Sequence, residues 1–477
     1  MSHQTNRRLS MVARSAIIRM LLCASLSLHA QNAPISPAGA PQAADTGAAA
    51  RNLDAADKKT VADGKARQPQ AQPPPAQPPA QQQAPATPPA PVPATPVGRK
   101  PGAITITGLL DFYYGVNFRN PGNSNTLSPY YPSFSGVPLA SGGYIHVDNA
   151  LRFNDINNNS VTFSLGELDF VRTEDKKIPI GFHVTLTVGE EPLIFHATEP
   201  GNPYSWEPFD NLYVFHNFNV ARHNVEVDAG IWASPFGIEV LESNQDDNYS
   251  RGIMFVLSPF YHAGVRAKTT LTNKISLETA VVNGWNDIAD DNKVLDAYIQ
   301  LVVKPNSRFT QVFSSIAGTD GLGPYGRLIA PKNQASIQTH MADFNSIYQV
   351  TPRFKIAGWI NLGNGAGEAL GEHISGSWLG LAAYMRYQIT SRIALATRLE
   401  QFEDYPGVGG VGLRFGNQGY TRYREATLTL EYASFGGRLL HRLEYRHDHA
   451  NLPLFGYGSH GAGPDQDTLY LGEVYKF

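Results

Sequence analysis

Residues 104–118 read ITITGLLDFYYGVNF, and this stretch decides the fold class. Ile104, Ile106, Leu110, Phe112, Tyr114, Val116 and Phe118 hold the even positions, with Thr105, Thr107, Asp111 and Asn117 between them. Successive side chains of a strand point to opposite faces, so this alternation gives one apolar and one polar face. The pattern recurs. Ile178, Ile180, Phe182, Val184, Leu186 and Val188 alternate with Gly181, His183, Thr185 and Thr187. Val225, Val227, Ala229 and Ile231 alternate with Glu226, Asp228 and Gly230. Ile275, Leu277 and Val281 flank Ser276 and Glu278, and Phe354, Ile356 and Ile360 flank Arg353, Lys355 and Asn361. Leu379, Leu381, Met385 and Ile389 flank Arg386 and Gln388, and Ile393, Leu395 and Leu399 flank Arg392, Arg398 and Glu400. No segment between them has the 3.6-residue apolar period of an amphipathic helix. Residues 101–477 therefore read as an antiparallel all-β body.

Candidate strands start near residues 103, 161, 178, 209, 224, 262, 275, 294, 307, 339, 353, 377, 392, 421, 437 and 467, about sixteen in all. Broken alternation in the second, fourth and tenth leaves a range of 12–16. The connections sort by parity. Long ones fall near 119–160, 190–208, 233–261, 285–293, 318–338, 363–376, 404–420 and 449–466. Short ones include Glu174-Asp175-Lys176, Thr272-Asn273-Lys274, Pro305-Asn306-Ser307, Thr351-Pro352, Thr390-Ser391 and Phe435-Gly436-Gly437. Short periplasmic turns, long outer loops and an even strand count are the pattern of a bacterial transmembrane β-barrel. A soluble sandwich has no reason to sort its loops this way. At the C-terminus Leu469, Leu471, Tyr475 and Phe477 alternate and end on an aromatic, with Glu473 out of place on their face. Tyr475 and Phe477 resemble the closing-strand signal of outer-membrane proteins, which the barrel-insertion machinery reads.

Ahead of the barrel, Arg7, Arg8, Arg14 and Arg19 precede the apolar stretch Met20 to Leu28, and Ala30 precedes Gln31. This is the layout of a secretory signal peptide over residues 1–30. Cys23 is the one cysteine of the chain, and Leu22 before it is too large for a lipoprotein site. Residues 31–100 are rich in Ala, Pro and Gln, most densely from Gln68 to Val97. Such a segment cannot bury a core and favours extended polyproline II, so a disordered linker is expected in the periplasm. It reads either as a solvated spacer or as a tether toward the cell wall.

Composition agrees. Of 477 residues only 17% are charged, against roughly 25% in soluble domains. With 38 basic and 41 acidic residues the formal net charge is −3, which excludes a basic nucleic-acid binder. The single cysteine excludes intramolecular disulfides and Cys-rich metal sites.

Two stretches carry a family resemblance. One is Gly230-Ile231-Trp232-Ala233-Ser234-Pro235-Phe236-Gly237-Ile238-Glu239, continuing to Tyr249-Ser250-Arg251, Ser258-Pro259-Phe260 and Gly264-Val265-Arg266. The other is Val281-Val282-Asn283-Gly284-Trp285-Asn286, followed by Asp290-Asp291-Asn292-Lys293. Together they resemble the OmpL-like β-barrel porin family, over about residues 101–477. The resemblance implies an outer-membrane barrel with a pore role, and no catalytic residues.

With apolar faces toward lipid, the alternate residues line the lumen. Arg353, Lys355, Arg386, Arg392, Arg398, Arg442 and Arg446 then point inward, interleaved with Glu400, Glu431 and Glu444, while Asp111, Glu226 and Asp228 come from early strands. Two readings stay open: cross-strand ion pairs that stiffen the wall, or a basic wall facing an acidic one across water. The third long connection, Ala233 to Tyr261, is the constriction candidate. It carries Glu239, Glu242, Asp246 and Asp247 against Arg251, and Phe236, Ile253, Met254, Phe255 and Val256 are out of place on an exposed loop. The expectation is that it folds inward, its carboxylates opposing the later arginines. An external hairpin or a loop packed on a neighbouring subunit is the competing reading.

Other signals are weak. Asp287, Asp290, Asp291 and Asn292 lack an EF-hand register and read as a solvated tip. His441, His447 and His449 fall near one outer loop without a metal-site pattern. No G-x-S-x-G or comparable motif marks a nucleophile. The sequence thus predicts an outer-membrane porin, not an enzyme, with no cofactor or metal. Its partners would be membrane lipid, the insertion machinery and small hydrophilic solutes diffusing passively. The alternative is a structural or adhesive barrel plugged by its loops, above all the first. A homotrimer is left open by sixteen strands.

Overall fold

Lipid gives a strand edge no partner, so a sheet that spans a bilayer must close on itself. The computed structural model describes residues 101–477 except 122–135, 139–143, 147, 197–198, 200–202, 291, 320–334, 370–371, 406–419 and 458–460. The expected signal peptide and linker lie outside the described residues. Sixteen strands form one closed barrel: β1 Ile104–Asn117, β2 Ser160–Arg172, β3 Gly181–Val188, β4 Phe209–Val220, β5 His223–Ala233, β6 Tyr261–Thr272, β7 Ile275–Val282, β8 Asp296–Asn306, β9 Phe309–Gly318, β10 Ala335–Thr351, β11 Phe354–Ala369, β12 Glu372–Gln388, β13 Ile393–Tyr405, β14 Thr421–Ser434, β15 Leu439–Ala450 and β16 Asp465–Lys476. Each strand pairs with its sequence neighbours, and β1 closes antiparallel on β16 from Leu109–Lys476 to Asn117–Thr468. Ile106, Phe112, Val188, Val214, Ile299, Leu399, Leu428 and Leu471 are exposed on the outer wall, the face that a transmembrane barrel makes apolar. Their alternate neighbours face the lumen.

Two strands with broken alternation contain bulges. In β2, Asp111 of β1 pairs with Leu165 and Phe112 with Phe163, so Ser164 is an extra residue. Outward parity shifts there from Val161 and Phe163 to Leu168 and Phe170, because one inserted residue moves all later side chains to the other face. In β4, Thr185 of β3 pairs with Asn211 and Leu186 with Phe209, which leaves Asp210 as the extra residue.

Two boundaries are corrected. The third strand begins at Gly181, and Ile178 and Ile180 lie exposed in the connection before it. The long connection expected at 363–376 is ladder instead: β11 and β12 stay paired out to Ala369 and Glu372. The lumen-facing residues of β11 there are Gly363, Gly365 and Gly367, which give no apolar period but keep full backbone pairing. The Trp378 ring lies against Gly363 and takes up the space a side chain would fill.

Phe477 extends the closing seam. Its N–H donates to Gly108 O and the Gly108 N–H donates to Phe477 O, both at 3.0 Å. Its ring lies over Gly108, where a Cβ would fall 2.2 Å from the ring. Glu473, out of place by sequence, pairs on the outer face with His441 at 2.7 Å. We expect Gly108→Leu to displace the Phe477 ring and to destabilise the barrel by about 1–3 kcal/mol. The check is the urea-unfolding midpoint in detergent micelles, where adding Phe477→Ala restores most of the loss.

Candidate functional site: a loop held inside the lumen

The connection between β5 and β6, residues 234–260, lies inside the barrel. Its entry is fixed by Gly237, whose N–H donates to Asp343 Oδ2 at 2.8 Å and whose carbonyl accepts from Asn345 Nδ2 at 2.9 Å. Gly237 has φ +88°, and a Cβ would sit 2.8 Å from the Trp359 ring, so only glycine fits this crossing. Beyond it the chain is irregular apart from two short helical turns, and its backbone groups need partners from the wall.

The lumen-facing residues of β13 and β15 supply them. Arg398 Nη1 donates to Glu239 Oε1 and to Ser250 O, each at 2.5 Å, and its Nε donates to Glu425 at 2.7 Å. Arg442 donates to the carbonyls of Ser243 at 2.5 Å, Asp246 at 2.8 Å and Asn248 at 3.2 Å. Arg446 donates to Arg251 O at 2.6 Å. Carboxylates answer the amides. Glu444 accepts from Tyr249 N at 2.5 Å and Ser250 N at 2.9 Å, and Glu400 accepts from Ile253 N at 2.8 Å and Met254 N at 2.5 Å. The last two donors open the short helix Ile253–Val256, whose first N–H groups have no partner within the helix. Within the loop Arg251 is a staple. It donates to Val240 O at 2.8 Å, to Tyr249 O at 2.6 Å and to Leu241 O, beside Asp246 at 3.2 Å.

The carboxylates expected to oppose the later arginines divide. Glu239 meets Arg398, and Asp247 meets Lys355 at 2.8 Å and Arg386 at 4.0 Å. Asp246 turns instead to Arg251 of its own loop. Glu242 lies against the opposite wall, near Asp169 and His183. Arg353 and Arg392 are corrected: both are exposed in short turns at the strand ends and do not enter the lumen. Pro352 has no N–H for the ladder, so β10 ends at Thr351, and strand parity says nothing about Arg353. The remaining charged wall is a cross-strand ladder, with Asp228 of β5 between Arg266 at 2.6 Å and Lys268 at 2.8 Å of β6.

Sequence reasoning missed the parts of the other loops that join this one. Phe153, Phe195, Phe255 and Phe260, from three connections, pack ring on ring inside the barrel, with Phe153 5.1 Å from Phe255 and 5.0 Å from Phe260. Apolar runs in the loops at Leu193-Ile194-Phe195 and around Phe153 carried the same signal as Ile253–Val256. Arg152 of the first loop pairs with Asp155 at 2.5 Å and with Asp448 of β15. Glu199 of the second loop accepts from Tyr261 Oη at 2.8 Å, Ala289 N at 3.0 Å and Ile288 N at 3.0 Å. Burial pushes the Glu199 carboxyl up to about 7, against the pull of these donors.

The acidic tip is split: Asp287 is buried, while Asp290 caps an exposed turn, accepting from Lys293 N at 2.7 Å. The three histidines are not one cluster, and all face outward. His447 and His449 pair with Asp467 at 2.8 Å and Asp465 at 2.7 Å at the long-loop end, while His441 sits at the other end. Among the described residues no three acidic or histidine side chains converge as a metal site.

Most lumen-facing side chains at the level of the loop are buried, from Tyr298 of β8 to Tyr470 of β16. Water reaches Asp169 and His183, with side chains 20% and 21% exposed, on one wall. On the other it reaches Asp247, Lys355 and Arg386 at 13%, 12% and 18%. Between the loop and β10–β12 a cavity of about 20 Å³, room for one water, is lined by Ile238, Asp247, Lys355 and Tyr384.

The sequence itself decides the family. Residues 103–477 match the family described as "Putative beta-barrel porin-2, OmpL-like". The chain belongs to this family. Its place is therefore the outer membrane. A comparison with curated protein sequences finds no match. Among solved structures, the chain is similar to outer-membrane-expressed OmpT of Vibrio cholerae, at 10% identity and TM-score 0.47, covering 80% of this chain and 99% of that one. It is similar to the outer membrane channel DcaP of Acinetobacter baumannii, at 9% identity and TM-score 0.46, covering 79% and 98%. It is also similar to the anion-selective porin from Comamonas acidovorans, at 9% identity and TM-score 0.46, covering 79% and 100%.

Removing the Arg398 side chain strands Glu239 and Glu425 in a buried site. Arg398→Ala should cost about 3–5 kcal/mol in detergent-phase unfolding and expose Arg251, buried in the native loop, to trypsin. Equal cleavage of mutant and parent would show that the latch does not hold the loop. At Glu199 the folded pKa is raised, so its favourable contribution holds at low pH and is lost as pH rises through about 7. Protection of the Ile288 and Ala289 amides should fall between pH 6 and 8 after correction for intrinsic exchange, and Glu199→Gln should abolish that fall.

Proposed function

We propose that the chain is a porin through which small hydrophilic solutes diffuse passively, with the 234–260 loop as its constriction. The observation that carries this reading is the loop's course across the lumen, tied at Arg398 on one side and at Lys355 on another. Glu242 and Asp247 are the loop carboxylates on its water-reached flanks, and with Lys355 and Arg386 they would set the field a solute meets. Glu239, Asp246, Arg398, Arg442 and Arg446 would shape the constriction from within, since loop backbone and ion pairs occupy their polar atoms. Residues 31–100 would lie in the periplasm as a linker ahead of the barrel. Tyr475 and Phe477 would present the closing strand to the insertion machinery, and the apolar outer wall would face lipid or, in a homotrimer, a neighbouring copy.

The second reading is a structural or adhesive barrel closed by its own loops. The near-complete burial of lumen-facing side chains at loop level favours it. Planar-bilayer recording of the purified protein separates the two. A porin gives small stepwise conductance, and replacing residues 239–251 by a short Gly/Ser link enlarges the steps several-fold. Silence from the parent chain supports the plugged barrel. Glu242→Gln with Asp247→Asn should shift the reversal potential in a salt gradient toward anion permeation. An unchanged value would remove the loop from the constriction.

A further inference from the structure

We propose that the short-turn end of the barrel binds the headgroups of net-negative glycerophospholipids, with a groove at Arg353 as its best-formed site. Such binding follows from the family's place in the outer membrane, whether or not the barrel conducts. Seven turns join strands at this end, the end that a bacterial barrel directs to the periplasm. Each carries an exposed lysine or arginine: Lys176, Arg222 and Lys274 in the first three, then Arg308, Arg353, Arg392 and Arg438. Among the described residues none of these seven side chains has an ion-pair partner. Arg398, Arg442 and Arg446 of the lumen, by contrast, are all paired. The two carboxylates in the turns are taken, Glu174 by His216 at 2.7 Å and Asp175 by Arg172 at 2.8 Å.

Charge alone does not choose a partner; the surface beside it does. Aromatic rings stand on the outer wall next to the arginines. Phe309 and Tyr348 meet edge to face at 6.4 Å beside Arg308, and Phe354 and Tyr387 do the same at 6.4 Å beside Arg353. Phe435, three residues before Arg438, is exposed. Arg353, Phe354 and Tyr387, with Thr351 and Pro352, line an open groove of about 680 Å³. A lipid whose phosphate meets the planar guanidinium and whose acyl chains run along Phe354 and Tyr387 uses both parts of this surface. A polar cell-wall polymer or a free anion would use the arginines and leave the rings in water. The spread of cations over every turn points the same way. A docked protein needs one sector, whereas the headgroup layer surrounds a barrel on all sides. Net negative charge is required, because a zwitterionic headgroup brings its own cation to the phosphate. The long-loop end differs: Arg422 there pairs with Glu403 at 3.1 Å, and Arg424 donates to Gln401 at 2.9 Å.

The test uses the full-length protein in dioleoylphosphatidylcholine vesicles with a trace of spin-labelled phosphatidylglycerol or spin-labelled phosphatidylcholine. Electron spin resonance gives the ratio of the two association constants for lipid at the barrel wall. Phosphatidylglycerol should be preferred about threefold or more at low salt. Arg308→Gln, Arg353→Gln, Arg392→Gln and Arg438→Gln combined should remove about half of that preference or more. Folding of this variant is checked by its heat-dependent gel shift. If it does not fold, Arg353→Gln with Arg392→Gln should move the ratio in the same direction. Arg422→Gln with Arg424→Gln, at the other end, should leave the ratio as in the parent. No preference in the parent, an equal preference in the turn variants, or the same loss from the Arg422 and Arg424 pair overturns the proposal. The parent is also sedimented with purified cell-wall sacculi. Co-sedimentation that depends on the turn arginines, without a lipid preference, would give the ring to the cell wall and overturn the lipid site.

Discussion

A loop placed inside a barrel carries bare amides and carbonyls into a narrow space, and the wall must answer them one by one. Outside, the ladder already satisfies every strand, because a closed barrel has no edge. Inside, residues 234–260 have no ladder. The planar guanidinium of arginine carries five donors, which lets Arg442 hold three carbonyls at once and lets Arg398 bridge a carbonyl and two carboxylates. Glu400 and Glu444 each take two consecutive amides. The rest of the interior follows from these contacts. They fix the height of the loop, and thereby the place where the aromatic rings of the first and second loops can pack on Phe255 and Phe260.

This sorts the lumen charges by use. Arg398, Arg442 and Arg446 look in the sequence like a basic lining for solutes, yet loop backbone and ion pairs consume their donors. The ladder of Asp228, Arg266 and Lys268 is likewise self-neutral and buried. What remains for a solute is the partly exposed remainder, with Asp247, Lys355 and Arg386 on one wall and Asp169 and His183 on the other. The cross-strand ion pairs that formed one reading of the sequence are therefore present in the wall.

Strand number and order were legible because an apolar outer face and a polar inner one impose a strict period of two. The legibility ended where that period was interrupted. Ser164 and Asp210 are single inserted residues that reverse the parity of β2 and β4, and one sequence does not show where the partner strand skips. The glycines of β11 removed the apolar signal while leaving the backbone paired, so ladder looked like loop. The inward course of the third loop was visible in its apolar residues, since Ile253–Val256 have no place in water. Its partners were not: Arg398 contacts Glu239 across 159 positions and Arg442 contacts Ser243 across 199, and nothing local encodes such pairings. Arg251 was read as the loop's lone counter-charge, whereas its main work is to hold three carbonyls of its own loop.

The two sides of the loop differ in how firmly they bind it, and that bears on how such a barrel can pass anything. At β13–β15 the contacts are buried and charge-assisted, and breaking one strands its partner away from water, at several kcal/mol each. At β11 and β12 the tie is Asp247 with Lys355 and Arg386, all reached by water, where an ion pair contributes about 1 kcal/mol or less. At β2–β4 Glu242 of the loop lies near Asp169 and His183, and among the described residues no ion pair ties it to that wall. The loop is therefore held more firmly at β13–β15 than at its tie to β11 and β12. Widening is cheapest where the cavity beside Lys355 already lies, so the same unequal anchoring that keeps the loop inside the barrel also selects the side on which solute would pass.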